Sequence, residues 1–374
     1  MSTSDFFPAR PGATPTIYAF ASTHPDHAGL LKVGDTEHKA AERVAQQFPG
    51  GFTGYDIKLI EPAMRPDGSS FTDRDIHRHL RSRKIANPSH EWFKCTVKDV
   101  QAAILAVRER LANVEDRTLS FGLRPEQEKA VAMTADYFKR AATEQKGHTP
   151  HFLWNAKMRF GKTFAAYQLA KRMGWKKVLV LTFKPAVRHA WAEDLQRHID
   201  FEGWQFISRD GDLSWTDLDD DRPVVCFGSF QDFLQRTGSG AIKPRNEWVH
   251  ETEWDCVILD EYHYGAWREN AKGLFGADEE DEGEVSAEVT KDEQVFDESI
   301  LPITTNHYLY LSGTPFRALA SGEFIEEQIY NWTYSDEQRA KRDWKGPGPN
   351  PYAALSRLVL VAYTPPDGIP QGAG

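Results

Sequence analysis

Cysteine is scarce in this chain: Cys95, Cys226 and Cys256 are the only three in 374 residues. Their spacing fits neither a disulfide framework nor a zinc site, and points to a reducing cytoplasm. Long apolar runs are also missing, so nothing matches the roughly 18 residues that a membrane span requires. The opening MSTSDFFPARPG lacks the basic-then-apolar order of a secretory leader. There is no basic surplus either: 45 Lys and Arg stand against 55 Asp and Glu, a net charge of −10. At first this argues against a nucleic-acid partner. Between Asp278 and Glu298, however, eleven acids face one lysine. That one segment accounts for the imbalance and reads as a solvated acidic loop. Charge therefore neither favours nor excludes nucleic acid.

What is present is the composition of a globular protein, with 40% hydrophobic, 12% aromatic and 27% charged residues. The length suggests two domains. Residues 1–15 read as a loose arm. Short β-rich runs at 16–20, 30–34, 55–60 and 91–95, with helical stretches at 38–47, 73–84 and 97–111, make a small α/β module over 16–112. The segment 113–122 reads as a linker. From Leu123 compact apolar strands at 151–154, 178–182, 223–227, 256–259 and 308–311 alternate with helices. This pattern predicts a mostly parallel sheet covered by helices, over 123–335. The turn-rich tail is 336–374, and no internal repeat is visible.

Ala156-Lys-Met-Arg-Phe-Gly-Lys-Thr163 follows a predicted strand and opens a helix. It fits the phosphate-loop pattern except that Ala156 replaces the first glycine. Such a loop turns backbone N–H groups toward phosphate oxygens at a helix N-terminus. Ala156, Arg159 and Gly161 would shape it, Lys162 would reach the β- and γ-phosphates, and Thr163 would ligate Mg²⁺. The acidic pair Asp260-Glu261 follows an apolar strand, where Asp260 would hold Mg²⁺ and Glu261 would orient the attacking water. Ser312-Gly313-Thr314 follows another strand, placed to relay nucleotide state. Gln127, in Leu123-Arg-Pro-Glu-Gln127, could bond an adenine edge. Singly, each could be a plain turn or a solvated pair.

In this order the elements resemble the superfamily 2 helicases and translocases, over about Leu123 to Gln328, and most closely the restriction-type DNA translocases. Leu181-Thr-Phe-Lys-Pro185 and Gly228-Ser-Phe-Gln231 look like further motifs of that family. The resemblance implies a RecA-like P-loop lobe using ATP and Mg²⁺ on DNA, with double-stranded DNA as the expected form. It also implies a second RecA-like lobe supplying an arginine finger. The residues after Gln328 are too few for it, so the expectation is a longer chain or a partner subunit, with weak ATP turnover by this chain alone.

In the first module, Thr16-Ile-Tyr18, Leu31-Lys-Val-Gly34, Arg43, Ile76-His77 and Glu91-Trp-Phe93 resemble the GIY-YIG nuclease fold. That resemblance implies that Tyr18 assists the nucleophile, that Arg43 holds the phosphate, that Asp73 takes the place of the family's metal-binding glutamate, and that His77 assists or holds its helix. The family's second tyrosine is replaced near Lys32, which the resemblance would make a proton donor or a phosphate contact in its stead. The bland alternatives are a half-buried strand tyrosine, a solvated arginine and a packing histidine. Together the two resemblances imply an ATP-dependent DNA translocase or helicase with an attached endonuclease, in restriction or defence against foreign DNA. The alternative is a protein–DNA remodelling factor whose first module grips DNA without cutting; RNA is a third possible track.

Overall fold

The computed structural model describes residues 14–48, 53–144, 148–209, 211, 213–234, 246–260, 303–313, 324–346, 349–353 and 355. The chain divides into two compact units. One comprises residues 1–122 with 188–206 and 211–224, the other 123–187, 207–210 and 225–374. Among the described residues no helix is long and apolar enough to cross a membrane.

In the first unit β1 (Thr16–Ser22), β2 (Leu31–Thr36), β3 (Tyr55–Pro62) and β4 (Trp92–Phe93) form a four-stranded sheet in the order β3-β1-β2-β4. β1 pairs antiparallel with both β2 and β3. Alternation along β1 assigns its faces. Ile17 and Ala19 join Val33, Leu59 and Phe93 beneath α2 (Asp73–Ser82) and α3 (Val97–Glu109), which contribute Ile76, Leu80, Val100 and Ile104. Tyr18 and Phe20 turn the other way, against Ala40 and Val44 of α1 (Ala40–Gln46) and Trp92. Burying each such aromatic or large aliphatic side chain contributes about 1.5–3 kcal/mol. Thr96 starts α3 with a reciprocal cap: its hydroxyl donates to Asp99 at 2.8 Å and accepts from the Asp99 N–H at 3.3 Å.

The segment read as a linker is anchored within this unit. Asn113 is fully buried and donates to the carbonyls of Ala102 and Arg117, at 3.0 and 2.9 Å. Arg117, 2% exposed, donates to the carbonyls of Leu195 and His198 and pairs with Glu115 at 2.6 Å. Residues of α6 (Arg188–Arg197) thus accept from this segment. Asparagine and arginine look like linker residues in sequence, and their burial follows only from those distant carbonyls.

The second sheet has seven strands: β5 (His151–Ala156), β6 (Lys177–Thr182), β7 (Gln205–Ser208), β8 (Val224–Ser229), β9 (Cys256–Asp260), β10 (Tyr308–Ser312) and β11 (Ile329–Trp332). Their order is β11-β5-β10-β9-β6-β8-β7. β5 pairs parallel with β10 and β11, and β9 with β10 and β6. α4 (Pro125–Glu144) and α5 (Lys162–Met173) flank it, with α7 (Phe230–Leu234), α8 (Glu247–Glu251) and α9 (Tyr334–Asp343) further on. Phe138, Phe152, Trp154, Tyr167 and Tyr310 fill the core beside fully buried strand aliphatics such as Leu179 and Ile258. The mixed α/β class, a small α/β module before a mostly parallel sheet, is the one anticipated; the small module's sheet is antiparallel.

Candidate active sites

Parallel strands bring all their C-terminal ends to one edge, and here that edge is polar and buried. Asn155, the last residue but one of β5, is 8% exposed; Ser312 ends β10 at 1%, Asp260 ends β9 at 8%, and Thr182 ends β6 at 0%. Ser312 lies in register with Asn155, and Asp260 with Thr182. Asn155 donates to Asn331 at 2.5 Å, and Thr182 accepts from the Lys184 N–H at 3.0 Å; the C-terminal edge of a parallel sheet is where such folds bind their ligands.

The phosphate loop leaves β5 here. Ala156, the departure from the glycine pattern, is fully buried, and its carbonyl accepts from the Lys162 ammonium at 2.8 Å. Arg159 and Gly161 have φ of 68° and 76°, the left-handed region that tightens the turn into α5. The positive φ favours glycine at 161, and a Cβ there would lie 2.6 Å from Nε2 of Gln127, so any larger residue would also displace that amide. Gln127 is buried, its amide donating to the Phe160 carbonyl at 2.8 Å while its Oε1 accepts from the Arg124 N–H at 2.8 Å. Arg124 adds a 2.6 Å bond to the same Phe160 carbonyl. Both side chains therefore brace the loop. Nothing in the Leu123-Arg-Pro-Glu-Gln127 pattern marks Arg124 for this role; the contact appears only in the fold. Thr163, in the first turn of α5, and Gly313, directly after β10, stand at the same strand ends. Glu261, Thr314 and the acidic segment 278–298 lie outside the described residues. A loop braced from behind, a helix N-terminus, Lys162 and a buried carboxylate on Asp260 fit a magnesium nucleotide.

The four-stranded module carries a second polar cavity of about 490 Å³. Tyr18, Arg43, Asp73 and His77 all line it, together with Lys32, Asp35, Gln47, His90 and Glu91. Tyr18 and Gly34 face each other across β1 and β2. A Cβ on Gly34 would come within 2.6 Å of the Tyr18 hydroxyl oxygen. The glycine thus lets the ring lie over the neighbouring strand. Burial pushes the Tyr18 phenol up from its ordinary range, against the opposing pull of Gln47 and Arg43. From α2, Asp73 and His77 reach the cavity one turn apart. His77 Nε2 lies 2.9 Å from the Val33 carbonyl, which can only accept, so that nitrogen carries the proton. His77 therefore ties α2 to β2.

Burial raises the Asp73 carboxyl, and the neighbouring Asp35 raises it further. Two facing carboxylates are relieved by a divalent cation, so Asp73, with Asp35, fits a Mg²⁺ site. No cluster of three or more metal-ligating side chains forms among the described residues, which leaves the remaining ligand positions to water and substrate. Lys32 is engaged: it pairs with Glu91 at 3.1 Å and donates to Gln47 at 2.5 Å. Asp35 and Gln47 had no motif to announce them, whereas Glu91 opens the quoted Glu91-Trp-Phe93 without a role assigned to it. Only the four-residue spacing of Gln47 from Arg43 hinted at a shared helix face.

A family model described as type III restriction enzyme, res subunit, matches residues 120–317, more than half the chain. The chain belongs to this family. Residues 16–108 of this res-subunit relative match the T5orf172 domain. A Mycoplasma pneumoniae protein named for a type II restriction enzyme and methyltransferase C-terminus is 32% identical over 237 residues, 58% of this chain and 32% of its own length. The chain thus spans about a third of that curated relative. Among solved structures, the Sulfolobus solfataricus SWI2/SNF2 ATPase core in complex with double-stranded DNA is 17% identical over 57% of this chain and 36% of its own, with a TM-score of 0.34. The UvsW helicase from bacteriophage T4 is 14% identical over 80% of this chain and 96% of its own, with a TM-score of 0.33.

Proposed function

We propose that this chain is an ATP-dependent DNA translocase or helicase lobe joined to an endonuclease module of GIY-YIG type, acting in restriction of foreign DNA. The observation that carries the reading is the convergence of Lys162, Asp260 and Ser312 on one buried polar edge of a parallel sheet in a restriction-family chain. The second cavity, with a tyrosine, an arginine and a carboxylate pair, supports the nuclease half.

At the ATP site, loop N–H groups and Lys162 bind the phosphates, and Thr163 and Asp260 hold the Mg²⁺. Glu261 orients the attacking water. Held there, Mg²⁺ would supply positive charge for the transferring phosphoryl group. A second RecA-like lobe, in a longer chain or a partner subunit, completes the site. In the nuclease pocket, Arg43 holds the scissile phosphate and Tyr18 manages the proton of the attacking water. Asp73 carries the cation and His77 keeps α2 in place. Double-stranded DNA is the track.

Lys162→Ala tests the motor half. Removing a charge-assisted contact should weaken ATP binding by about 10–100-fold in equilibrium titration, with DNA binding unchanged. Equal ATP affinity in both proteins would remove the phosphate loop from the account.

A further inference from the structure

Lys32, Gln47 and Tyr18 form a continuous chain of hydrogen bonds. The Lys32 ammonium donates to Gln47 Oε1 at 2.5 Å, and Gln47 Nε2 donates to the Tyr18 hydroxyl oxygen at 2.7 Å. The direction of this chain follows from chemistry. An ammonium has donors and no acceptor, so the Gln47 atom facing it must be the carbonyl oxygen. The amide nitrogen then faces Tyr18, and it too can only donate. The phenol oxygen must accept, and its own proton is turned away from Gln47, toward the cavity. Lys32 is itself held on its other side by Glu91 at 3.1 Å. The charged groups facing Tyr18 are Arg43 and Glu91, with Lys32 one residue removed.

We propose that Lys32 and Gln47 are a one-way relay in which Gln47 is the positioning residue for Tyr18. Lys32 fixes the amide, the amide donates to the phenol oxygen, and the phenol O–H is left to face the DNA phosphate or its attacking water. The relay rests on the nuclease reading for its purpose and on the hydrogen-bond geometry for its existence. It gives Lys32 a role at a distance from substrate, in place of a direct phosphate contact. A donor to the phenol oxygen also favours the ionised phenol, so Gln47 offsets part of the burial that disfavours it.

Gln47→Glu is the informative variant in the full chain. It preserves length and the Lys32 contact, yet presents an acceptor to Tyr18 and so turns the phenol proton inward. Gln47→Leu removes the donor without adding charge, and serves if the glutamate variant is unstable. A difluorinated tyrosine placed at position 18 and followed by fluorine NMR reads the phenol titration without reference to cleavage. The relay predicts that the phenol ionises about one pH unit or more higher in both variants. Lys32→Met should give a smaller shift in the same direction. The alkaline limb of the plasmid-nicking profile should move with the phenol. A titration unmoved by either Gln47 variant, with thermal unfolding altered or not, would overturn the relay, because a packing role changes stability alone. A shifted phenol in a protein that never nicks DNA would uphold the wiring and sink the nuclease reading.

Discussion

Tyr18 lies over Gly34 because a side chain at that position has nowhere to go. The first prediction follows from that pair. Gly34→Ala would place a methyl group 2.6 Å from the phenol oxygen and force the hydroxyl to move. Displacement of a reacting group by about 1 Å can cost about 100-fold in rate. Plasmid nicking by Gly34→Ala should fall by about that factor in protein that still folds by circular dichroism. Wild-type nicking rates would mean the hydroxyl position is unimportant. Much of this site was legible in the sequence: Tyr18, Arg43, Asp73 and His77 do line one cavity. Gln47 and Asp35 were not, and Glu91 was visible only as the start of a motif, because their roles depend on contacts across separate elements. Gln127 was legible as a residue of interest, but its contact with the loop carbonyls at 160 and 161 emerges only when α4 packs beside β5.

At the scale of elements, each strand read from a continuous apolar run is present. The two that were not read, β7 and β11, lie at the two ends of the strand order. An edge strand pairs on one side and needs no continuous apolar run, so Gln205-Phe-Ile-Ser208 and Ile329-Tyr-Asn-Trp332 lack the signal that marks β9. Helix α6 carries a titration that can be tested. Burial, with Glu193 adjacent, pushes Asp194 up to about 6, against the pull of Arg197. An acid whose folded pKa lies above its unfolded value of 3.8 destabilises the fold once ionised. The penalty is absent below the unfolded value, grows between it and about pH 6, and is complete above. Asp194→Asn should therefore raise Tm at pH 7, by about 2–4 °C, and the gain should vanish by about pH 4. A gain that is the same at both pH values would mean that the ionised carboxylate is not its source.

At the scale of the whole molecule, the segment 113–122 makes the first unit more than a terminal module. Its buried Arg117 donates to carbonyls at the end of α6 and beyond. Arg117→Ala takes the guanidinium donor from those carbonyls, at a cost of about 2–4 kcal/mol, while Glu115 keeps Arg222 and the Gly203 N–H. Denaturant unfolding should show that loss, and limited proteolysis should cut within 113–122 in the variant before the wild type. Wild-type stability would show that the anchor carries no weight. The sequence could not reveal it, since a polar stretch between two patterned regions looks the same whether solvated or buried.

The central claim is that one chain couples an ATP site to a DNA-cutting pocket. Its most direct test is nicking of supercoiled plasmid with Mg²⁺, with and without ATP, by wild type, Tyr18→Phe and Lys162→Ala. The account predicts nicking that is lost in Tyr18→Phe, and an ATP effect on nicking that is lost in Lys162→Ala while basal nicking persists. Wild-type protein that binds ATP and DNA but leaves the plasmid closed, or nicking that survives Tyr18→Phe, would contradict it and leave a motor whose first module only grips DNA.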